Sequence, residues 1–217
     1  MSRKRRRAAG IATAVLTYIG TLTSASNLTT YTFTAASIGA ARTNRLVVLA
    51  VQGLTTTGRT ISSVTIGGNA ASVAASSASN NSQSGLYYLN VTSGTTADIV
   101  VTFSGSNSRC TVHVYTITGL KSFTPVGADA TVSTSSTSLN RTIAISKGGC
   151  AIGVAWVGFS PSTITWTNLT KDSGVTNEVQ QFSSASASGM AENAGLTITA
   201  AGSGSAGPAS LAVASWR

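Results

Sequence analysis

The sequence is short of charge, histidine, cysteine and proline, and each shortage closes off a class of protein. Charged residues make up 9% of the 217, against roughly 25% in typical globular chains. A disordered chain stays open through net charge and low hydrophobicity. This one is 42% hydrophobic, so it folds, with hydroxyls and amides in place of ions on its surface. Three prolines and two cysteines exclude a proline-rich linker protein and a disulfide framework. Cys110 and Cys150 each begin an alternating apolar stretch and read as small buried thiols, with a bridge between them left open by the spacing. No CxxC or Cys/His spacing suggests zinc or any other metal, and no cofactor is expected.

Catalytic supply is equally thin. The acids are Asp98, Asp129, Asp172, Glu178 and Glu192, scattered beside turns with no spacing that recommends the facing pair a glycosidase needs. His113 is the single histidine. Alternation in TVHVYTI sets it with Thr111 and Tyr115, opposite Val112 and Val114, and it reads as an ordinary strand residue rather than a general base. There is no GxSxG elbow, no GxxxxGK[ST] loop and no dinucleotide-binding glycine pattern. The expectation is a protein that is not an enzyme. Tyr87, Tyr88, Trp156 and Trp166 are the candidates for a sugar-stacking platform. Adjacent tyrosines on a strand point to opposite faces, so only one of that pair can join any platform.

What the sequence does hold is a block of cations. Net charge is +9, and Arg3, Lys4, Arg5, Arg6 and Arg7 stand in a row. Removing those five from fourteen basic residues leaves nine against five acids, a modest +4 and a weak electrostatic funnel. Binding to an anion should therefore centre on the arm, either on nucleic acid by counterion release or on an acidic groove of a neighbouring subunit. The alternatives are a solvated tail and an export signal, with AAGIATAVLTYIGTL as its apolar region and residues 1–25 removed. That region is diluted by Gly10, Thr13, Thr17, Tyr18, Gly20 and Thr21, and TYIGTLTS alternates like a first strand. It is also too short and polar to span a membrane.

Beyond the arm the pattern is strands and turns. YTFTA (31–35), RLVVLAVQG (45–53), SSVTIGG (62–68), GLYYLNV (85–91), DIVVTFSG (98–105) and RCTVHVYTI (109–117) are rich in β-branched and aromatic residues and separated by small polar clusters. SVTIGGNAASVA predicts a tight hairpin, and RLVVLAV, apolar on both faces, predicts a central covered strand. The second half repeats the plan. CAIGVAWVG (150–158) follows RLVVLAVQG, STITWTNLTKD (162–172) follows SSVTIGGNAAS, GLTITAAG (195–202) follows DIVVTFSG, and SLAVASW (210–216) follows CTVHVYTI. The fold expected is all-β, a two-layer antiparallel β-sandwich of jelly-roll type over 17–217, after an arm of residues 1–16. Its pseudo-repeats cover about 17–120 and 121–217 and share one core. The alternative is two tandem small sandwiches. The second half is poorer in large apolar residues, which favours the shared core.

TYTFTAASIGA, RLVVLAV, SSVTIGGNAASV, TTADIVVTFSG and the closing SLAVASW resemble the β-rich virion structural proteins of tailed phages and prophages. The arginine-rich arm is similar to that of jelly-roll viral coats. The resemblance implies a capsid, decoration, cement or fibre protein, located in the virion and lacking a membrane partner. It further implies a homo-oligomer, a trimer by analogy with decoration proteins, that contacts other capsid subunits. The competing function is an exported surface sandwich that binds carbohydrate.

Overall fold

The computed structural model describes residues 13–78, 81–158, 163–177 and 180–217, so Arg3, Lys4, Arg5, Arg6, Arg7 and Glu178 lie outside the described residues. Among the described residues every regular element is a β-strand, and all pairings are antiparallel. The first half supplies β1 (Val15–Ser24), β2 (Leu28–Ser37), β3 (Leu46–Leu54), β4 (Ile61–Ile66), β5 (Asn69–Ala70), β6 (Ser72–Ala78), β7 (Ser82–Asn90), β8 (Thr96–Asn107) and β9 (Arg109–Thr118). The second supplies β10 (Gly127–Ser136), β11 (Ser138–Ile145), β12 (Gly149–Val157), β13 (Ile164–Thr167), β14 (Thr170–Asn177), β15 (Gln180–Met190), β16 (Asn193–Gly202) and β17 (Gly207–Trp216).

Strand order turns the repeat into topology. In the first unit the sheets run β1-β9-β3-β7-β6 and β2-β8-β4-β5. With β6 set aside, the pairs β1·β9, β2·β8, β3·β7 and β4·β5 are nested, and alternate pairs fall in opposite sheets. That is a jelly roll. The second unit runs β10-β17-β12-β15-β14 and β11-β16-β13, the same order strand for strand without a counterpart of β5. The predicted hairpin is the β4–β5 turn, where Ile66 pairs with Asn69. Gly67 and Gly68 carry φ of 57° and 79°, which a two-residue turn of this hand requires.

Three cores separate four layers. Val47, Leu49 and Val51 of β3, with Cys110, Val112 and Val114 of β9, face Tyr31, Val64, Ile99, Val101 and Phe103 across the first sandwich. Ala151, Ala155, Leu211 and Val213 face Leu139, Ile143, Ile164 and Ile198 across the second. The opposite faces of the two five-stranded sheets meet each other. There Leu46, Val48, Ala50, Leu86, Tyr115 and Ile117 pack on Cys150, Ile152, Val154, Ala212, Ala214 and Trp216. The all-β antiparallel sandwich expected from sequence is present, and the layering is that of the tandem alternative: each repeat closes its own core and the two are joined back to back. This explains why β3 and β12 are buried along their whole length.

The second unit manages with smaller side chains because one large residue fills its centre. Gly153 lies under the Trp166 ring, and a Cβ there would sit 2.6 Å from Trp166 Cζ3 and 3.0 Å from Leu169 Cδ1. Overpacking a core costs roughly 1–3 kcal/mol. Gly153→Val should therefore cost about 2–3 kcal/mol, read as a lower urea midpoint with unchanged slope.

The structure also shifts one repeat match. Aligned by sequence, Cys150 falls under Arg45. In the sheets Cys150 is equivalent to Leu46, since both face the other unit and they pair with Trp216 and Ile117 of the closing strands. A slip of one residue exchanges the faces of a strand. Cys110 and Cys150 are both free and buried and belong to different cores, which removes the bridge. Burial raises both thiols, Cys150 to about 12.

Arg45, fully buried at the start of β3, holds one end of the first sandwich. Its Nε donates to Val91 O (2.8 Å), Nη1 to Ile38 O (3.2 Å) and Gly39 O (2.6 Å), and Nη2 to Ser93 O (2.9 Å) and Gly94 O (3.0 Å). All five guanidinium donors thus end on main-chain carbonyls of two loops.

Candidate functional site

Three places in the fold bear on function: the polar seam between the units, the aromatic residues, and the end of the body where the arm begins.

The seam follows from strand alternation. The face of β9 that carries Thr111, His113 and Tyr115 looks at the second unit. His113 Nε2 donates to Gln52 Oε1 at 3.1 Å, and Nδ1 accepts from Thr21 Oγ1 at 2.8 Å. Thr21 Oγ1 in turn lies 2.5 Å from Tyr18 Oη and 3.1 Å from Ser173 Oγ of β14. Beside this chain, Tyr115 Oη donates to Asp172 Oδ2 at 3.0 Å and lies 2.7 Å from Ser184 Oγ. Ser84 Oγ meets Ser210 Oγ at 2.8 Å, and Asn177 Nδ2 donates to Ser24 O at 3.1 Å. Burial pushes His113 down to about 3, so the imidazole is neutral at physiological pH. Burial also raises Asp172, against hydrogen bonds from Ser186 and Tyr115 that hold it down, and it raises Tyr115 strongly. His113 is wholly buried and both its nitrogens are bonded within its own unit, to Gln52 and Thr21; Thr21 carries the chain on to Ser173 of the second unit. The arrangement cross-links the units; it offers a substrate neither a free base nor an approach.

The acids are spread over the molecule. Asp98 Oδ1 accepts from Ala35 N at 2.7 Å, where β2 bulges and Ala35 takes a φ of 51°. Asp129 pairs with Arg141 at 3.3 Å. Asp172 is in the seam and Glu192 is exposed at the arm end. Among the described residues no group of three or more His, Cys, Asp or Glu side chains is placed to hold a metal.

The sugar-platform candidates are used inside the protein. Trp156 is 2% exposed and packs on Leu54 and Phe182. Trp166 covers Gly153 and donates from Nε1 to Ser183 Oγ at 2.9 Å. Tyr87 lies in the first core and Tyr88 stands edge-on to Trp216, with ring centroids 6.1 Å apart. Among the described residues no aromatic side chain is classed as exposed.

The arm end carries the remaining chemistry. Thr13 and Ala14 lead into β1, and Ala14 N donates to Gly148 O at 3.1 Å. That bond fixes the root of the arm beside Lys147. Lys121 N donates to Arg217 O at 2.9 Å, and Lys121, Lys147, Arg217 and Glu192 line one cleft. On the other side of β1, Arg42 lines a groove with Val15 and Thr17. No signal in the sequence collects Lys121, Lys147 and Arg217, which are far apart in the chain and meet only through the fold. β1 itself pairs with β9 from Val15↔Thr118 to Ser24↔Cys110, so cleavage after Ala25 would strip a paired strand from the first sandwich.

No family model matches the chain, and no curated protein matches it. Among solved structures, a chain of the Sputnik virophage cryo-EM structure aligns over 100% of this chain and 88% of its own at 7% identity, with a TM-score of 0.18. At that score the alignment does not amount to a shared fold.

Proposed function

We propose that the chain is a non-enzymatic structural protein of a virion, capsid or capsid-associated, tethered by the arm Arg3–Arg7. The observation that carries this reading is the doubled jelly roll fused back to back. Jelly rolls serve chiefly as coat and lectin domains, and the lectin use needs an exposed aromatic platform that the described residues lack. Among the described residues, His113 and Asp172 are taken up in the seam, His113 through Thr21 to Ser173 and Asp172 through Tyr115. The outer faces carry hydroxyls, as in the Thr30–Thr102 and Thr142–Thr197 contacts. Such faces can be covered in lateral assembly without stripping water from ions, and symmetry multiplies modest contacts. The same reading makes the protein a homo-oligomer, trimeric by analogy, that sits among other capsid subunits.

N-terminal sequencing of the chain recovered from a particle fraction tests this against the exported alternative. The proposal expects an intact basic arm on particle-bound protein. A mature chain that starts near Ser26 and stays out of particles would overturn it.

A further inference from the structure

We infer that Asp129 and Arg141 form a clip that closes the outer edge of β10, and that opening it lets β10 pair with β10 of a second copy. The inference goes beyond the proposed function and does not depend on it. β10 ends its sheet, bonded to β17 on one side and, among the described residues, to no strand on the other. Successive residues of a strand turn their N–H and C=O groups to opposite edges. Ser215 O accepts from Val126 N at 2.8 Å, so the odd-numbered residues of β17 face β10. Val213 and Leu211 pair with Asp129 and Thr131, which leaves Ala128, Ala130 and Val132 presenting their groups outward. At Ala130 both groups are taken. Its N–H donates to Asp129 Oδ1 at 2.7 Å, and its carbonyl accepts from Arg141 Nε at 3.2 Å. The same Nε lies 3.3 Å from Asp129 Oδ2, which closes the ring. Nη1 donates to Asn140 O of β11 at 3.1 Å, so the clip also straps β10 to its neighbour in the facing sheet.

The other sheet edges are protected in other ways. An exposed edge is a template for a further chain unless it is short, bulged or charged. β5 and β13 have two and four residues. β1, β2, β6, β11 and β14 each break register within their pairing. β10 holds one register from Gly127↔Ser215 to Ser133↔Ala209, the longest unbroken run among these edges, and contains no lysine or proline. That run is also self-complementary. Antiparallel pairing about a two-fold through Ala130 sets Ala130 opposite itself, Ala128 opposite Val132 and Asp129 opposite Thr131, so like charges are never directly opposed. The three outward residues then exchange their N–H and C=O groups in pairs. Such a contact uses the same patch on both copies and closes on itself, which makes a second copy the matching occupant.

Size exclusion with light scattering tests this on the full chain, on Asp129→Ala/Arg141→Ala, and on that pair combined with Val132→Pro. Both clip side chains are partly exposed, so the double variant should keep the fold, which its urea midpoint checks. At equal concentration it should show about twice the parent's mass, as one added two-fold contact requires. Val132→Pro removes an outward N–H and leaves the ladder to β17 intact, so the triple variant should return to the parent's mass. A double variant with the parent's mass would overturn the inference. So would a gain in mass that Val132→Pro leaves in place. The parent supplies a second test that needs no variant. Its Ala130 amide should exchange with solvent roughly tenfold more slowly than those of Ala128 and Val132. Equal rates at the three positions would show that no clip closes the edge. Neither failure touches the structural role proposed above, which makes no use of this edge.

Discussion

Replacing Arg45 by methionine should lower the unfolding free energy by about 3–5 kcal/mol, the largest single-residue effect expected in the chain. The side chain has no carboxylate partner; its five donors hold Ile38, Gly39, Val91, Ser93 and Gly94 by their carbonyls. A buried carbonyl left without a donor costs roughly 1–3 kcal/mol. Some of that cost is recovered, because Ser93 and Gly94 are in an exposed loop that water can reach and because a desolvated charge is removed. Arg45→Lys separates the fork from the charge. It keeps the cation but offers three donors, so at least two carbonyls lose a partner and about 2 kcal/mol should still be lost. Urea unfolding of the three chains checks both figures. Equal stability of the lysine variant and the parent would show that charge, not donor geometry, holds these loops.

Acidification from pH 7 to pH 5 should weaken the fold through His113. His113 is held near 3 by burial, against 6.5 in an open chain. A folded value below the unfolded one means that its contribution is complete above 6.5 and is lost as pH falls from 6.5 toward 3. One unit corresponds to 1.36 kcal/mol, so stability should drop by about 2 kcal/mol between pH 7 and pH 5. His113 is the single histidine in the sequence. Asp172 across the seam works in the opposite direction. Its folded value is raised, so the fold binds that proton more tightly and regains some stability as Asp172 protonates. Tyr115, also facing the seam, is raised by burial and stays neutral throughout this range, and Lys171 on the same strand as Asp172 is exposed. His113→Gln should flatten the profile from pH 7 to pH 5, whatever it does to stability at pH 7. A parent whose urea midpoint is unchanged over that interval would contradict the buried, neutral histidine.

The strands were legible because alternation and β-branching are local signals, and β1 to β4 and β7 to β9 fall where the sequence pattern predicts. The layer count was not. RLVVLAV and its partner in the second half are apolar on both faces, which says that both faces are covered without saying by what. The face of β9 bearing Thr111, His113 and Tyr115 is polar, and it meets the polar side chains of β14 and β15. A buried polar joint has the same local pattern as a wet surface. The Arg45 clamp had a faint cue, an arginine at the head of an otherwise apolar strand. The cleft of Lys121, Lys147 and Arg217 had none, because these residues are distant in the chain and meet only in the fold.

The central claim is that two fused jelly rolls with a basic arm make a building block that acts by assembling. Electron microscopy of the purified full-length chain, with and without nucleic acid, addresses this most directly. The account predicts symmetric oligomers or closed shells, and loss of their attachment to nucleic acid or particles when residues 3–7 are removed. A chain that stays a dispersed monomer under every condition, with or without its arm, would contradict it.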